Sequence, residues 1–267
     1  MYKDSKKINQ IKLFLKQKPF WIKFSHSLVY QRIRNPKFYH RQFEELNFYK
    51  ELVKDLDNKL IFDIGANIGN KSYLFSKIAK QVLAFEPSKK CEFILKNRFE
   101  KSNVTIINIA LGSNKNVIDY FEVDNDSAYS SLSKKHIETI VKGRNANNLY
   151  SITSKKVETD TIENYISKYG KPSYIKIDVE GYEIDVIKGL LQPVSIVSFE
   201  SNLPEFRNET IESIDYLSNI SNDVYLFNAY SEGPFLFENF ISKDQITEFV
   251  KTTQLRSVEI FAKLKTT

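Results

Sequence analysis

Apolar positions recur along this chain in two alternating patterns. Phe43, Leu46, Tyr49, Leu52, Val53 and Leu56 share one stripe, which predicts a helix over residues 41–57. The run Leu60-Ile61-Phe62-Asp63-Ile64-Gly65 then predicts a buried strand. A helix over 68–79, a strand over Gln81–Glu86 and a helix over 88–100 follow, with Pro87 suited to a helix's first turn. Val104–Ile109 predicts a third strand. Strand, helix, strand, helix, strand implies parallel pairing through right-handed crossovers.

The alternation breaks between Gly112 and Asp160, a polar stretch that reads as an insertion near the sheet's edge or mouth. It resumes with a helix over Ile162–Lys168, a strand over Tyr174–Asp178, a helix over 182–190, a strand over Val194–Glu200 and a helix over 205–219. Val224–Asn228 and Val258–Lys263 fit an antiparallel pair that closes a mostly parallel sheet. The predicted fold is α/β: seven strands, the last antiparallel, with a helical N-terminal extension. The expected division is an extension over 1–57 and one domain over 58–267.

Composition narrows the class. The chain has 267 residues, 42% of them hydrophobic, enough for a sizeable core and too apolar for a disordered chain. Cys91 is the single cysteine, which excludes an internal disulfide and a Cys-based zinc site and fits a reducing compartment. No apolar run approaches the ~18 residues of a membrane span. The expectation is a cytoplasmic protein.

Charge changes that picture locally. Residues 1–43 hold eleven Lys or Arg and one acid, Asp4, while the remainder is mildly acidic. Ile8, Ile11 and Leu15 recur at helical spacing among these lysines. One reading is a cap packed on the main domain with its lysines in water. Another is peripheral contact with an anionic membrane at its inner face, or with an anionic glycan. Nucleic acid is disfavoured, because only seven of the 39 bases are Arg.

Four strands end in an acid: Asp63, Glu86, Asp178 and Glu200. In a parallel sheet the carboxyl ends line one crevice, where ligands bind. Asp63-Ile64-Gly65-Ala66-Asn67-Ile68-Gly69-Asn70 is a Gly-containing strand-to-helix turn that lets backbone approach a ligand. A dinucleotide fingerprint would place glycine where Asn67 and Asn70 stand, which argues against NAD or FAD. A phosphate-free nucleoside still fits. Glu86 has the spacing of an acid that accepts from a ribose diol.

Taken together, these residues resemble the FkbM-type family of S-adenosylmethionine-dependent methyltransferases. The resemblance rests on Phe62 to Gly69, Phe85-Glu86-Pro87 and Ile175 to Glu183, with weaker support from Ala110-Leu111-Gly112, Ser130-Ser131-Leu132 and Thr159-Asp160-Thr161. It spans roughly residues 60–200. It implies a Rossmann-like methyltransferase fold and S-adenosylmethionine as cofactor. The implied cofactor contacts are Asp63, Gly65, Ala66, Asn67, Gly69, Asn70, Glu86, Pro87 and Ala110.

The same resemblance implies chemistry near Asp178-Val179-Glu180-Gly181. Methyl transfer to a hydroxyl needs in-line alignment and a base near the acceptor's proton. Asp178 and Glu180 are the candidates: one to hold the acceptor, the other to take the proton. Structural readings stand beside these: Glu180 capping the next helix, Asp178 bonding its first turn. Glu200 can complete an acidic trio suited to Mg²⁺, but no spacing demands a metal and none is expected. His136 reads as a surface residue, with a mobile base as the alternative, and Cys91 reads as packed. Tyr73 and Tyr182 are weak candidates for stacking. The expected function is O-methylation of a saccharide or glycoconjugate hydroxyl, the lipid-linked case left open. The alternatives are an RNA or protein methyltransferase and a non-catalytic cofactor-binding domain of a polysaccharide assembly complex.

Overall fold

A computed structural model describes residues 21, 22, 25, 28–57, 59–123, 126–144, 151–220, 225–231 and 233–265. The predicted helical stripe at Ile8–Leu15, and most of the basic arm, lie outside these residues. Among the described residues the helices α1 (Leu28–Arg34) and α2 (Pro36–Leu52) precede the first strand. Asn35 caps α2 by accepting from the Phe38 N–H at 3.3 Å, and Pro36 fills the first turn. That cap moves the helix five residues earlier than its apolar stripe predicts.

The main sheet contains β1 (Leu60–Ile64), β2 (Gln81–Phe85), β3 (Val104–Ile107), β7 (Tyr174–Ile177), β8 (Ile196–Asn202), β9 (Tyr225–Tyr230) and β10 (Ser257–Leu264). Their order is β3-β2-β1-β7-β8-β10-β9. Strand β10 is antiparallel to both β8 and β9, and β1, β2, β3, β7 and β8 pair in parallel. The expected sheet is therefore present, and the antiparallel strand lies inside it, wedged before β9. The order reverses direction between β1 and β7, so that crevice is where a ligand meets two diverging crossovers.

Strand alternation sends side chains to two cores. Phe62, Ile64, Ile175, Ile177 and Phe199 face helices α6 (Ile162–Tyr169), α7 (Glu183–Ile187), α8 (Arg207–Asn219) and α9 (Lys243–Thr252). Ile61, Val82, Tyr174 and Phe261 face the opposite core with Tyr49 and Val53 of α2 and its end, Leu74 and Phe75 of α3 (Asn70–Phe75), and Leu95 of α4 (Lys89–Arg98). The result is a three-layer sandwich, the expected α/β class.

Three local expectations change. Helix α3 stops at Phe75 instead of running to 79, because the Ser76 hydroxyl bonds back to the Tyr73 carbonyl at 2.7 Å and the chain turns into β2. Helix α9 carries a complete capping box, Ser242 with Gln245, that the strand-based reading passed over. The insertion is also not a bare loop. It builds a second sheet from β4 (Ala110–Leu111), β6 (Ile152–Asp160) and β5 (Asn116–Val123), in that order. Short helical turns at Ser127–Tyr129 and Lys134–His136, the latter (α5) continuing to Arg144, run between β5 and β6.

Phe62 is fully buried and meets the Phe85 ring at 5.4 Å, so it ties the two strands whose ends form the crevice. Phe62→Ala should cost about 3–5 kcal/mol of unfolding free energy, measured by denaturant titration. A loss below about 1 kcal/mol would mean that this pair does not anchor the β1–β2 core.

Candidate active site

The site begins where β1 ends. The N–H groups of Gly65 and Ala66 both donate to the Phe85 carbonyl at 3.0 Å, folding the turn across the end of β2. Gly65 has φ +83°, and a Cβ there would lie 1.7 Å from the Asp178 carbonyl oxygen. Only glycine lets the ends of β1 and β7 approach this closely. Asn67 follows at φ 49°, a left-handed conformation that asparagine tolerates better than most residues. Its amide oxygen accepts from the Ser127 hydroxyl at 2.8 Å, which fastens the insertion to the turn.

Glu86, at the tip of β2, is buried. Its two carboxylate oxygens accept from the backbone N–H groups of Asn67 and Ser88, each at 2.8 Å. Burial pushes its carboxyl up to about 7, against the downward pull of those two donors. A carboxylate offers about four acceptor positions, so roughly two remain for a ligand.

These residues line one open cleft. Gly65, Asn67, Glu86, Pro87, Ala110, Asp178 and Glu180 all reach its wall. The insertion supplies another wall with Tyr120, Ser127, Ser130, Ser131 and Leu132. Four residues expected to contact a cofactor do not line it. Asp63 is buried below, accepting from the Ser72 hydroxyl at 2.5 Å. Asn70 accepts from Arg98 at 3.0 Å, Gly69 packs under Phe99 and Leu95, and Ala66 joins the core. Tyr73 sits against Arg98 and Lys77, and neither it nor Tyr182 lines the cleft. Cys91 is buried with its thiol 3.4 Å from Asn67 Oδ1, a packed residue as expected.

The far end of the cleft is a carboxyl cluster. Asp178 Oδ2 accepts from the Lys176 ammonium at 2.7 Å, and Lys176 is almost fully buried in the centre of the sheet. Burial pushes the Asp178 carboxyl up, but Lys176 and a hydrogen bond from Glu200 outweigh it and hold it below the usual carboxylate range. Burial, and then the charges of Glu200 and Asp178, push Glu180 well above its ordinary value. Burial and the Asp178 charge do the same to Glu200. The three residues place one oxygen each within 4.8 Å of one another, a spacing a divalent cation could bridge. The chain's own cation, Lys176, already bonds Asp178 in this cluster through Oδ2.

Glu180 stands at φ 56°, held by its surroundings. Ser131 donates to its carbonyl at 2.6 Å, and the Glu183 carboxylate accepts from the N–H groups of Val179 and Gly181 at 3.1 Å. So Glu183, and not Glu180, ties the loop to the following helix. His136 is fully buried, with Nε2 3.7 Å from Glu180 Oε2. The surface position expected for His136 is thus corrected: the Ser133 cap on His136 N–H and the turn at Gly181 draw it inward.

Lys176, Glu183 and the placement of His136 were not singled out from sequence. A signal existed for Lys176, a lone cation between Ile175 and Ile177 in an otherwise apolar strand. None existed for His136, whose burial depends on contacts across the fold.

The Methyltransferase FkbM domain profile matches residues 63–229. The chain belongs to the FkbM methyltransferase family. Among characterised proteins, the hexuronic acid methyltransferase AglP of Haloferax volcanii is 26% identical over 143 residues. That alignment spans about half of this chain and half of the relative, 54% of each. Two solved structures overlay loosely. One is a putative methyltransferase of Streptococcus mutans in complex with SAH, at 10% identity, TM-score 0.43, 82% of this chain and 97% of that one. The other is an rRNA methylase of Streptococcus thermophilus, at 10% identity, TM-score 0.43, 83% of this chain and 95% of that one. The FkbM match covers all four strand-end acids and the carboxyl cluster.

Removing the buried ammonium should expose the family site's dependence on it. Lys176→Met leaves the Asp178 and Asp63 carboxylates without their nearest cation, and should cost about 1–3 kcal/mol of stability near neutral pH. The loss should shrink in acid, where both carboxyls protonate. Thermal unfolding at two pH values measures this, and an equally large loss at both would assign Lys176 to packing alone.

Proposed function

We propose that this protein is an S-adenosylmethionine-dependent O-methyltransferase acting on a saccharide hydroxyl. The observation that carries the reading is the shared cleft, which has the Gly65–Asn67 turn and Glu86 at one end and the ionised Asp178 and raised Glu180 at the other. The donor set fits the cofactor. Glu86 suits a vicinal diol, and the carboxyl cluster favours a cation such as a sulfonium. The relative named as a hexuronic acid methyltransferase supports a glycan acceptor.

Bound S-adenosylmethionine supplies an electrophilic methyl in the cleft. The protein's part is alignment and proton management. Asp178, paired with Lys176, is too acidic to be an effective base at neutral pH, so it accepts a hydrogen bond from the acceptor hydroxyl and orients it. Glu180, with its raised carboxyl, would take the proton as the oxygen–methyl bond forms and the methyl–sulfur bond breaks, with S-adenosylhomocysteine as the leaving group; His136 stands 3.7 Å from it. The insertion wall, fastened by Ser127 and Ser131, bounds the open cleft on one side.

Calorimetry with S-adenosylhomocysteine tests the reading. The diol bonds best to ionised Glu86, so affinity should rise with pH up to about 7 and flatten above it, by up to about tenfold per unit below. Glu86→Gln should weaken binding and remove that slope. Glu180→Gln should leave this affinity unchanged while lowering kcat by about 10²–10⁴-fold. Absence of any binding by the intact protein would overturn the proposal.

A further inference from the structure

Asp178 belongs to two hollows. Besides the cleft, it lines a groove walled by Lys71, Lys176, Glu200, Tyr230, Ser257 and Glu259. That groove shares Lys71 and Tyr230 with a larger hollow beneath α2, which Lys37, His40, Arg41 and Pro234 help to line. The three hollows are therefore neighbours through shared wall residues, Asp178 between the first two and the Lys71–Tyr230 pair between the second and third. The turn carrying Glu86 and the groove carrying Glu259 lie on opposite sides of Asp178, where a displacement needs its two reactants.

The path is graded in charge. Its inner end presents the carboxyl groups of Asp178, Glu200 and Glu259, with the Ser257 hydroxyl 3.1 Å from Glu200. These are acceptors suited to sugar hydroxyls. Its outer end presents Lys37, His40, Arg41 and Lys71, balanced in part by Glu44 and by Glu45, which pairs with Lys71 at 2.9 Å and with Arg41 at 4.0 Å. A ligand complementary to this path donates hydroxyls inward and carries an anion outward. A neutral sugar leaves the outer cations unused. A polynucleotide, anionic along its whole length, meets three carboxyls at the inner end.

We infer that the Lys71–Tyr230 groove is the acceptor site, and that it takes an acidic glycoside with its reactive hydroxyl at Asp178 and its acid group at Lys71 and Arg41. The inference rests on the methyl-transfer reading and names that reaction's substrate class. The acid group can be a ring carboxylate or the phosphate of an activated sugar, and both present the same anionic oxygens.

Saturation-transfer NMR on the full chain with saturating S-adenosylhomocysteine tests it, using methyl glucuronoside, UDP-glucose and neutral methyl glucoside as probes. At least one anionic probe should bind about tenfold or more tightly than the neutral glucoside, with the advantage fading at high salt. Response to methyl glucuronoside assigns a ring carboxylate, and response to UDP-glucose alone assigns a phosphate. Lys71→Gln should erase the anionic preference. Ser257→Trp, which fills the groove from an exposed strand end, should abolish probe binding. Both variants should keep S-adenosylhomocysteine affinity within about twofold. The inference is overturned if the neutral glucoside binds as well as the anionic ones, if no anionic probe binds, or if Ser257→Trp changes nothing. Failure of S-adenosylhomocysteine to bind the unaltered protein would instead defeat the methyl-transfer reading itself.

Discussion

A single buried ammonium sets the terms for the whole site. Lys176 stands in the centre of the sheet, between Asp63 of β1 in register on one side and Ser198 of β8 on the other. A cation at this depth is tolerable only with close anionic partners. Asp178 supplies the direct one, and Asp63 and Glu259 add their charges. Because Asp178 answers to Lys176, it stays ionised, and its charge then helps to hold protons on Glu180 and Glu200. One pairing inside the fold thus sorts three neighbouring carboxyls into a firm anion and two groups of higher proton affinity.

Backbone geometry brings this sorted cluster to the Gly65–Asn67 turn. The missing Cβ of Gly65 lets the ends of β1 and β7 touch, which places Asn67 and Asp178 on one cleft. The insertion completes it. Its strand β5 is anchored through Glu122, which accepts from Ser88 and pairs with Lys155, while Ser127 and Ser131 reach the turn and the Glu180 loop. Glu183 holds the same loop from below. The catalytic candidates are therefore fixed from three directions, by the sheet, the insertion and the helix after β7. Among the described residues no helix is long and apolar enough to cross a membrane.

The sheet was legible because each of its parallel strands is a short apolar run, and an acid sits near the carboxyl end of four of them, just beyond it at Glu86 and Asp178 and inside it at Asp63 and Glu200. The cleft followed from that register, since parallel strands end on one side. What stayed hidden is of two kinds. Strand β6 is largely exposed and rich in polar residues such as Glu158, Lys155 and Lys156, so it carries no apolar period to read. Asp63, Gly69 and Asn70 look like ligand contacts in a motif, yet they do their work underneath, bonding Ser72, packing on Phe99 and accepting from Arg98. A motif marks which residues build a site, but only the packing separates those that touch a ligand from those that hold the turn. His136 shows the same limit in reverse: a histidine among polar neighbours in sequence, enclosed by Phe206 and Gly181 in space.

The account's central claim is the ordering of these protons, and carboxyl ¹³C NMR titration of the ligand-free protein reads it directly. Asp178 should remain ionised to a pH below the usual carboxylate range, while Glu180 and Glu200 keep protons well above it. If Asp178 instead titrates last of the three, Lys176 does not govern the cluster and the assignment of orienting anion and base fails.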